Sequence, residues 1–174
     1  MHKPLKKSQI KKLLKRDSEK IAEHELVFIL QDVVDPINVG SIFRTADGFN
    51  IKVILTGKTP VPPDNGISMT SRGLERSVSW EYIESISDAI GSLRNRGFEI
   101  IALELTEDSE FITEHQFSAK TAIVLGNEAI GVYKKTLDIV DSAVHIPMVG
   151  KGPSLNVNVA ASIAAFEIFS RFIK

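Results

Sequence analysis

The stretch Val144-His145-Ile146-Pro147-Met148-Val149-Gly150-Lys151-Gly152-Pro153-Ser154-Leu155-Asn156-Val157-Asn158-Val159-Ala160-Ala161-Ser162 decides the fold. It opens on an apolar run of strand length. Pro147, Gly150, Gly152 and Pro153 then break regular structure. Ser154-Leu155-Asn156 ends the loop and opens an Ala-rich helix, with an asparagine where a helix N-cap is wanted. Ala160, Ala161, Ser162, Ala164 and Ala165 are small enough to let another helix or backbone approach closely. By itself the stretch is equally a capped terminal helix that simply packs.

The same alternation runs outward through the chain. Short apolar runs at 26–30, 52–55, 98–103, 122–125 and 143–146, and an alternating run at 77–83, read as strands, and 37–49, 87–96, 134–140 and 156–172 read as helices. Residues 57–66, with Pro60, Pro62 and Pro63, read as a long broken connection. Strands alternating with helices predict an α/β fold with a parallel sheet flanked by helices. Such sheets bind ligands beyond the carboxyl ends of their strands, so the informative loops follow Leu30, Leu103, Leu125 and Ile146. Residues 5–20 read as a separate N-terminal helix with sparse apolar positions, which divides the chain into a basic arm, 1–22, and one domain, 23–174. There is no internal repeat and no low-complexity tract.

The 174 residues are 43% hydrophobic and 25% charged, ordinary values for one globular domain. No apolar run approaches the roughly 18 residues of a membrane span, and the basic N-terminus lacks the apolar core of a secretory signal, so a cytoplasmic protein is expected. The chain has no cysteine, which excludes disulfides, thiolate metal sites and a cysteine nucleophile. Net charge is −1, yet residues 1–16 hold Lys3, Lys6, Lys7, Lys11, Lys12, Lys15 and Arg16 and no acid. The remainder therefore carries 14 basic and 22 acidic residues, a formal −8. A basic arm on an acidic body points to RNA or another polyanion; a solvated leader that binds nothing has the same composition.

Two further loops carry polar residues. In Asp35-Pro36-Ile37-Asn38-Val39-Gly40-Ser41-Ile42-Phe43-Arg44-Thr45-Ala46, a helix start and an arginine make a phosphate site, or else Asn38 caps an ordinary helix and Arg44 faces solvent. In Gly126-Asn127-Glu128-Ala129-Ile130-Gly131, two glycines let backbone approach a ligand beside a carboxylate, or else form a plain turn. It matches neither a GxGxxG nor a Walker pattern.

Together and in this order, the three segments resemble the SpoU/TrmH branch of the SPOUT methyltransferases. The family's Asn-x-Gly-x-x-x-Arg-x-Ala segment is matched by Asn38, Gly40, Arg44 and Ala46, and its Gly-x-Glu-x-x-Gly segment by Gly126, Glu128 and Gly131. Its closing Ile-Pro-Met and Ser-Leu-Asn-Val-x-Val-Ala segments are matched at 146–148 and 154–160. The resemblance implies a domain whose C-terminal segment threads a preceding loop as a deep trefoil knot, S-adenosylmethionine as methyl donor, a homodimer with active sites at the subunit interface, and no metal. It implies a cofactor pocket of Leu103, Gly126, Ile146, Met148 and Leu155. It implies methyl transfer to a ribose 2′-hydroxyl of transfer or ribosomal RNA, transfer RNA being slightly preferred, with Arg44 essential and Asn38, Glu128, Ser154 and Asn156 positioned around it.

The family assigns removal of the 2′-proton to the arginine matching Arg44. A guanidinium is a poor base, so binding phosphate and stabilising the alkoxide is the alternative. Ser71-Arg72-Gly73 resembles a family segment near the RNA entrance, making Arg72 and Arg76 candidate phosphate contacts, with a solvated helix face as the bland alternative. Lys6, Lys7, Lys11 and Lys12 of the arm are expected to replace the RNA-binding domain that ribosomal-RNA members carry. Three other readings compete: a SPOUT enzyme acting on a base atom, a non-catalytic RNA-binding protein of the same fold, and a nucleotide-dependent α/β enzyme, for which no phosphate loop is found.

Overall fold

The computed structural model describes residues 3–21 and 23–174. Seven parallel strands form one sheet: β1 Glu25–Gln31, β2 Lys52–Thr56, β3 Trp80–Ile83, β4 Glu99–Leu103, β5 Glu110–Phe111, β6 Lys120–Leu125 and β7 Ser142–His145. Their spatial order is β3-β2-β1-β6-β4-β7-β5. The helices are α1 Lys7–Ser18, α2 Pro36–Phe49, α3 Asn65–Ser71, α4 Ile86–Asn95, α5 Lys134–Leu137 and α6 Val157–Ser170.

The strands are apolar on both faces because helices cover both, as parallel sheets require. Leu26, Phe28 and Leu30 of β1 point into one core with α2, α3 and α6, whereas Val27 and Ile29 point into a second core with α4. On the first face α2 packs against α3 at Gly40, where a Cβ would overlap the Thr70 hydroxyl and lie 2.5 Å from the Ile67 carbonyl oxygen. On its other flank α2 meets α6, whose Ala161, Ala164 and Ala165 are fully buried; Thr45 and Ser162 hydroxyls bond across that contact at 2.7 Å. The small-residue face of the closing helix is thus spent on α2 of the same chain.

The strand order creates a switch point. From β1 the chain moves outward through β2 and β3, and from β6 through β7 on the other side, so the loops after β1 and β6 diverge from neighbouring strands and open a crevice.

Several sequence expectations are corrected in detail. The connection at 57–66 runs into a two-turn helix, α3, capped by Asp64, whose carboxylate accepts from Gly66 N and Ile67 N. The strand expected at 77–83 begins only at Trp80, because 74–76 form a 3-10 turn. The helix expected at 134–140 stops at Leu137, and the short edge strand β5 was not anticipated. α1 exists but buries no residue. It joins the body through an Ile21–Ile173 bridge and a Lys174 N–H donated to Lys20 O. The expected boundary at residue 22 lies outside the described residues. No helix among the described residues is long and apolar enough to cross a membrane.

Candidate active site at the sheet switch point

The crevice is bridged by one carboxylate. Glu128, on the loop after β6, accepts the main-chain N–H groups of Val34 and Asp35 after β1, both at 3.1 Å, and the side-chain amide of Asn38 at 3.0 Å. Asn38 is 4% exposed and sits in the first turn of α2. Its amide oxygen accepts from Asn158 Nδ2, in the first turn of α6, at 3.1 Å. Residues 90 and 120 positions apart are thereby joined in one polar line. Burial pushes the Glu128 carboxyl up, but the Asn38 bond and the main-chain N–H bonds outweigh it and hold it below the usual carboxylate value. Glu128 is therefore a fixed anion with its oxygens occupied, suited to holding the loop and not to taking a proton.

The loop itself is built for close approach. A Cβ on Gly126 would overlap the main chain of Gly131 and Val132, and Gly131 has φ +68 with Glu104 packed against it. Glu104 Oε2 accepts from Val132 N at 2.8 Å, and Asn127 Nδ2 donates to Asp32 O at 2.7 Å. The 126–132 loop is thus tied to the ends of β4 and β1 as well as to α2.

Asn38 is not the cap of α2. Asp35 fills that role, accepting from Ile37 N at 2.9 Å with Pro36 in the first turn, which frees Asn38 for the crevice. Six residues on, Arg44 is rotated by about 120° around the helix, so Asn38 is buried while Arg44 is exposed. Among the described residues Arg44 makes no hydrogen bond or ion pair. Asn156 caps α6, accepting from Asn158 N at 2.9 Å. Ser154 lies exposed in the loop before it.

Of the expected cofactor residues, Gly126 is buried, Leu103 and Ile146 are half-buried at the ends of β4 and β7, and Met148 and Leu155 are 40% and 38% exposed. Among the described residues no main-chain group of 147–155 bonds to another main-chain group. Apolar side chains beside unpaired main-chain donors and acceptors are what an adenine ring needs, so these residues fit S-adenosylmethionine. Arg72 caps α3 in the left-handed conformation and is exposed. Arg76 is exposed 3.8 Å from buried Glu75, whose carboxyl the Ser71 hydroxyl holds below its usual value against the opposing effect of burial. Both arginines belong to the α3 region, not to the Glu128 line. Sequence reasoning missed Asn158, Glu104 and Asn127. The left-open position of the closing motif was the only signal for Asn158, and Asn127 lay unremarked between two motif residues.

A parallel α/β domain with a polar staple across its switch point belongs to the class of folds that bind ligands beyond the carboxyl ends of their strands. The chain belongs to the SpoU rRNA Methylase family, which it matches over residues 25–166. It is 34% identical over 148 residues to an uncharacterised tRNA/rRNA methyltransferase of Borreliella burgdorferi, covering 84% of this chain and 64% of that protein. It is 32% identical over 146 residues to a tRNA (guanosine(18)-2′-O)-methyltransferase of Thermus thermophilus, covering 82% and 73%. Its fold matches the AdoMet-bound rRNA methyltransferase of Sinorhizobium meliloti with a TM-score of 0.81 and 27% identity, over 87% of this chain and 58% of that one. The chain thus spans roughly two thirds of the curated relatives it matches.

Proposed function

We propose that the protein transfers a methyl group from S-adenosylmethionine to a ribose 2′-hydroxyl of RNA, with transfer RNA preferred over ribosomal RNA. The observation that carries this is the Glu128–Asn38 bond across the crevice, which brings two family segments 90 residues apart into one site, with unpartnered Arg44 on the same helix as Asn38. The Thermus relative, named for a transfer RNA guanosine 2′-oxygen, supports the acceptor; the AdoMet-bound neighbour supports the donor.

Leu103, Ile146, Met148 and Leu155 would hold the adenine, and the main chain of 126–131 and 147–155 its polar edges. When bound, the cofactor supplies an electrophilic methyl carbon on a sulfonium. The chain's own contribution is positioning and charge. Glu128, Asn38 and Asn156 fix the loops, with Ser154 exposed beside the pocket for contact with the ligands. Arg44 neutralises a phosphate and the negative charge that grows on the 2′-oxygen as its proton passes to solvent water. Arg72, Arg76 and the lysines of α1 take the flanking RNA backbone.

Two structural features complete this proposal. Val159, Ile163 and Phe166 form an exposed apolar stripe along α6, at 44%, 38% and 61% exposure, which we assign to a second copy of the chain. We also assign to the C-terminal segment a trefoil knot threaded through the 104–119 connection; the insertion of β7 between β4 and β5 before α6 packs on α2 supports this reading. With RNA as substrate, we assign the arm and domain to the cytoplasm and require no metal.

The test pairs calorimetric titration with S-adenosylmethionine with a methyl-transfer assay on total transfer RNA. Arg44→Ala is expected to keep cofactor affinity within about threefold and to lose more than about a hundredfold in methylation. Normal turnover by that variant refutes the assignment.

A further inference from the structure

We propose that Asn158 is a positioning residue that fixes the orientation of the Asn38 amide, and through it couples the helix following the cofactor loop to the acceptor side of the site. The proposal rests on the methyltransferase assignment above for its effect on rate, but its geometry stands independently.

Direction in the polar line is set from one end. An ionised Glu128 can only accept hydrogen bonds, and its oxygens already take Val34 N, Asp35 N and Asn38 Nδ2. Asn38 must therefore turn its NH2 toward Glu128, which leaves its carbonyl oxygen facing α6. Only a donor can meet that oxygen, and Asn158 provides one at 3.1 Å. Asn38 is 4% exposed, so water is a poor substitute for either bond. With Asn158 in place the Asn38 amide has one satisfied orientation. Without a donor there, the flipped amide would set its oxygen against the Glu128 carboxylate and release the loop after β6.

The position of Asn158 gives this line a role beyond packing. It stands two residues after Asn156, the cap of α6, where the loop carrying Met148, Ser154 and Leu155 ends. Asn38 stands about two turns before Arg44 on α2. Asn158 thus ties the segment that would hold the methyl donor to the helix that carries the acceptor's arginine, and a loosened tie lowers the rate of transfer more than the affinity for either ligand.

The discriminating variant keeps the shape and reverses the polarity. Asn158→Asp is close to isosteric but presents only acceptors to the Asn38 oxygen; Asn158→Ala removes the contact. With the full chain, S-adenosylmethionine and transfer RNA, N158D is expected to lose at least about tenfold in kcat and N158A less, with both KM values and the cofactor Kd within about threefold of wild type. A space-filling role predicts the reverse order, N158D nearer to wild type than N158A, and that result overturns the proposal. A second readout is free of activity: the Glu128 carboxyl titration followed by carbon-13 NMR in N158A, a variant that adds no charge. The midpoint is expected to rise as the Asn38 bond loosens; an unmoved midpoint refutes the coupling even if N158D fails to fold. A risen midpoint in a protein that methylates no RNA would refute the enzyme assignment and leave the Asn158–Asn38 coupling standing.

Discussion

Replacing Glu128 by alanine tests the staple directly. Three bonds to a carboxylate are removed, each of a kind that contributes about 1.5–3 kcal/mol when shielded from water. Two of the donors are main-chain groups at the mouth of the crevice, Val34 being 48% exposed, and water replaces most of what they lose. The third is the amide of Asn38, 4% exposed, which is left without its acceptor and costs about 1–3 kcal/mol. The sum is about 2–3 kcal/mol, which for a chain of this size lowers Tm by roughly 4–12 °C. Glu128→Gln should fall between, because its amide NH2 confronts donors that the carboxylate accepted. The effect also carries a sign in pH. The Glu128 carboxyl is held below its unfolded value, so its contribution is complete above the usual carboxylate range and is lost as pH falls through the lowered folded value. The gap in Tm between wild type and E128Q should therefore be full at pH 7 and narrow below about pH 4. Thermal unfolding by circular dichroism from pH 7 to pH 3 measures it. A Tm for E128A within about 1 °C of wild type at pH 7, or a gap unchanged by acid, refutes the reasoning.

Two glycines of α2 should respond with opposite signs. Gly40→Ala drives a methyl group into the Thr70 hydroxyl and the main chain of Ile67, and forcing α3 away should cost about 2–3 kcal/mol; Gly48→Ala meets nothing within 4 Å and should stabilise by about 0.5–1 kcal/mol, both read by urea denaturation. In the arm, replacing Lys6, Lys7, Lys11 and Lys12 together by alanine should lower the slope of log affinity for RNA against log salt by up to about 3, measured by fluorescence anisotropy. An unchanged slope would remove the arm from the RNA interface.

Periodicity and turn residues made the layers of this fold legible: β1, β2, β4, β6 and the helices α2 and α4 follow from apolar runs bounded by glycine, proline and caps. Strand order was not legible, because the pairing of β1 with β6 is made between segments about 90 residues apart and no local pattern encodes it. That one pairing places Glu128 against Asn38, so the staple could be anticipated only through a family likeness. α3 was hidden by the prolines before it and by its shortness. Glu75 drew no reading from the sequence, yet it is 4% exposed and held by the hydroxyls of Ser68 and Ser71 of α3.

The choice between Asp35 and Asn38 as the cap of α2 decides whether there is a site at all. Both residue types cap well, and a helix begun at Asn38 would leave its amide in local bonds with the next turn. Pro36 settles the competition. Its fixed φ and missing N–H suit the first position of a helix and place the cap at Asp35. The helix then starts three residues earlier, Asn38 lies inside it with its amide free, and the rotation of about 100° per residue turns that amide into the crevice and leaves Arg44 exposed. Moving the start by one residue would swing both side chains by about the same angle and separate Asn38 from Glu128. The Asp35-Pro36 pair therefore sets the phase of the site, although neither residue needs to touch a ligand.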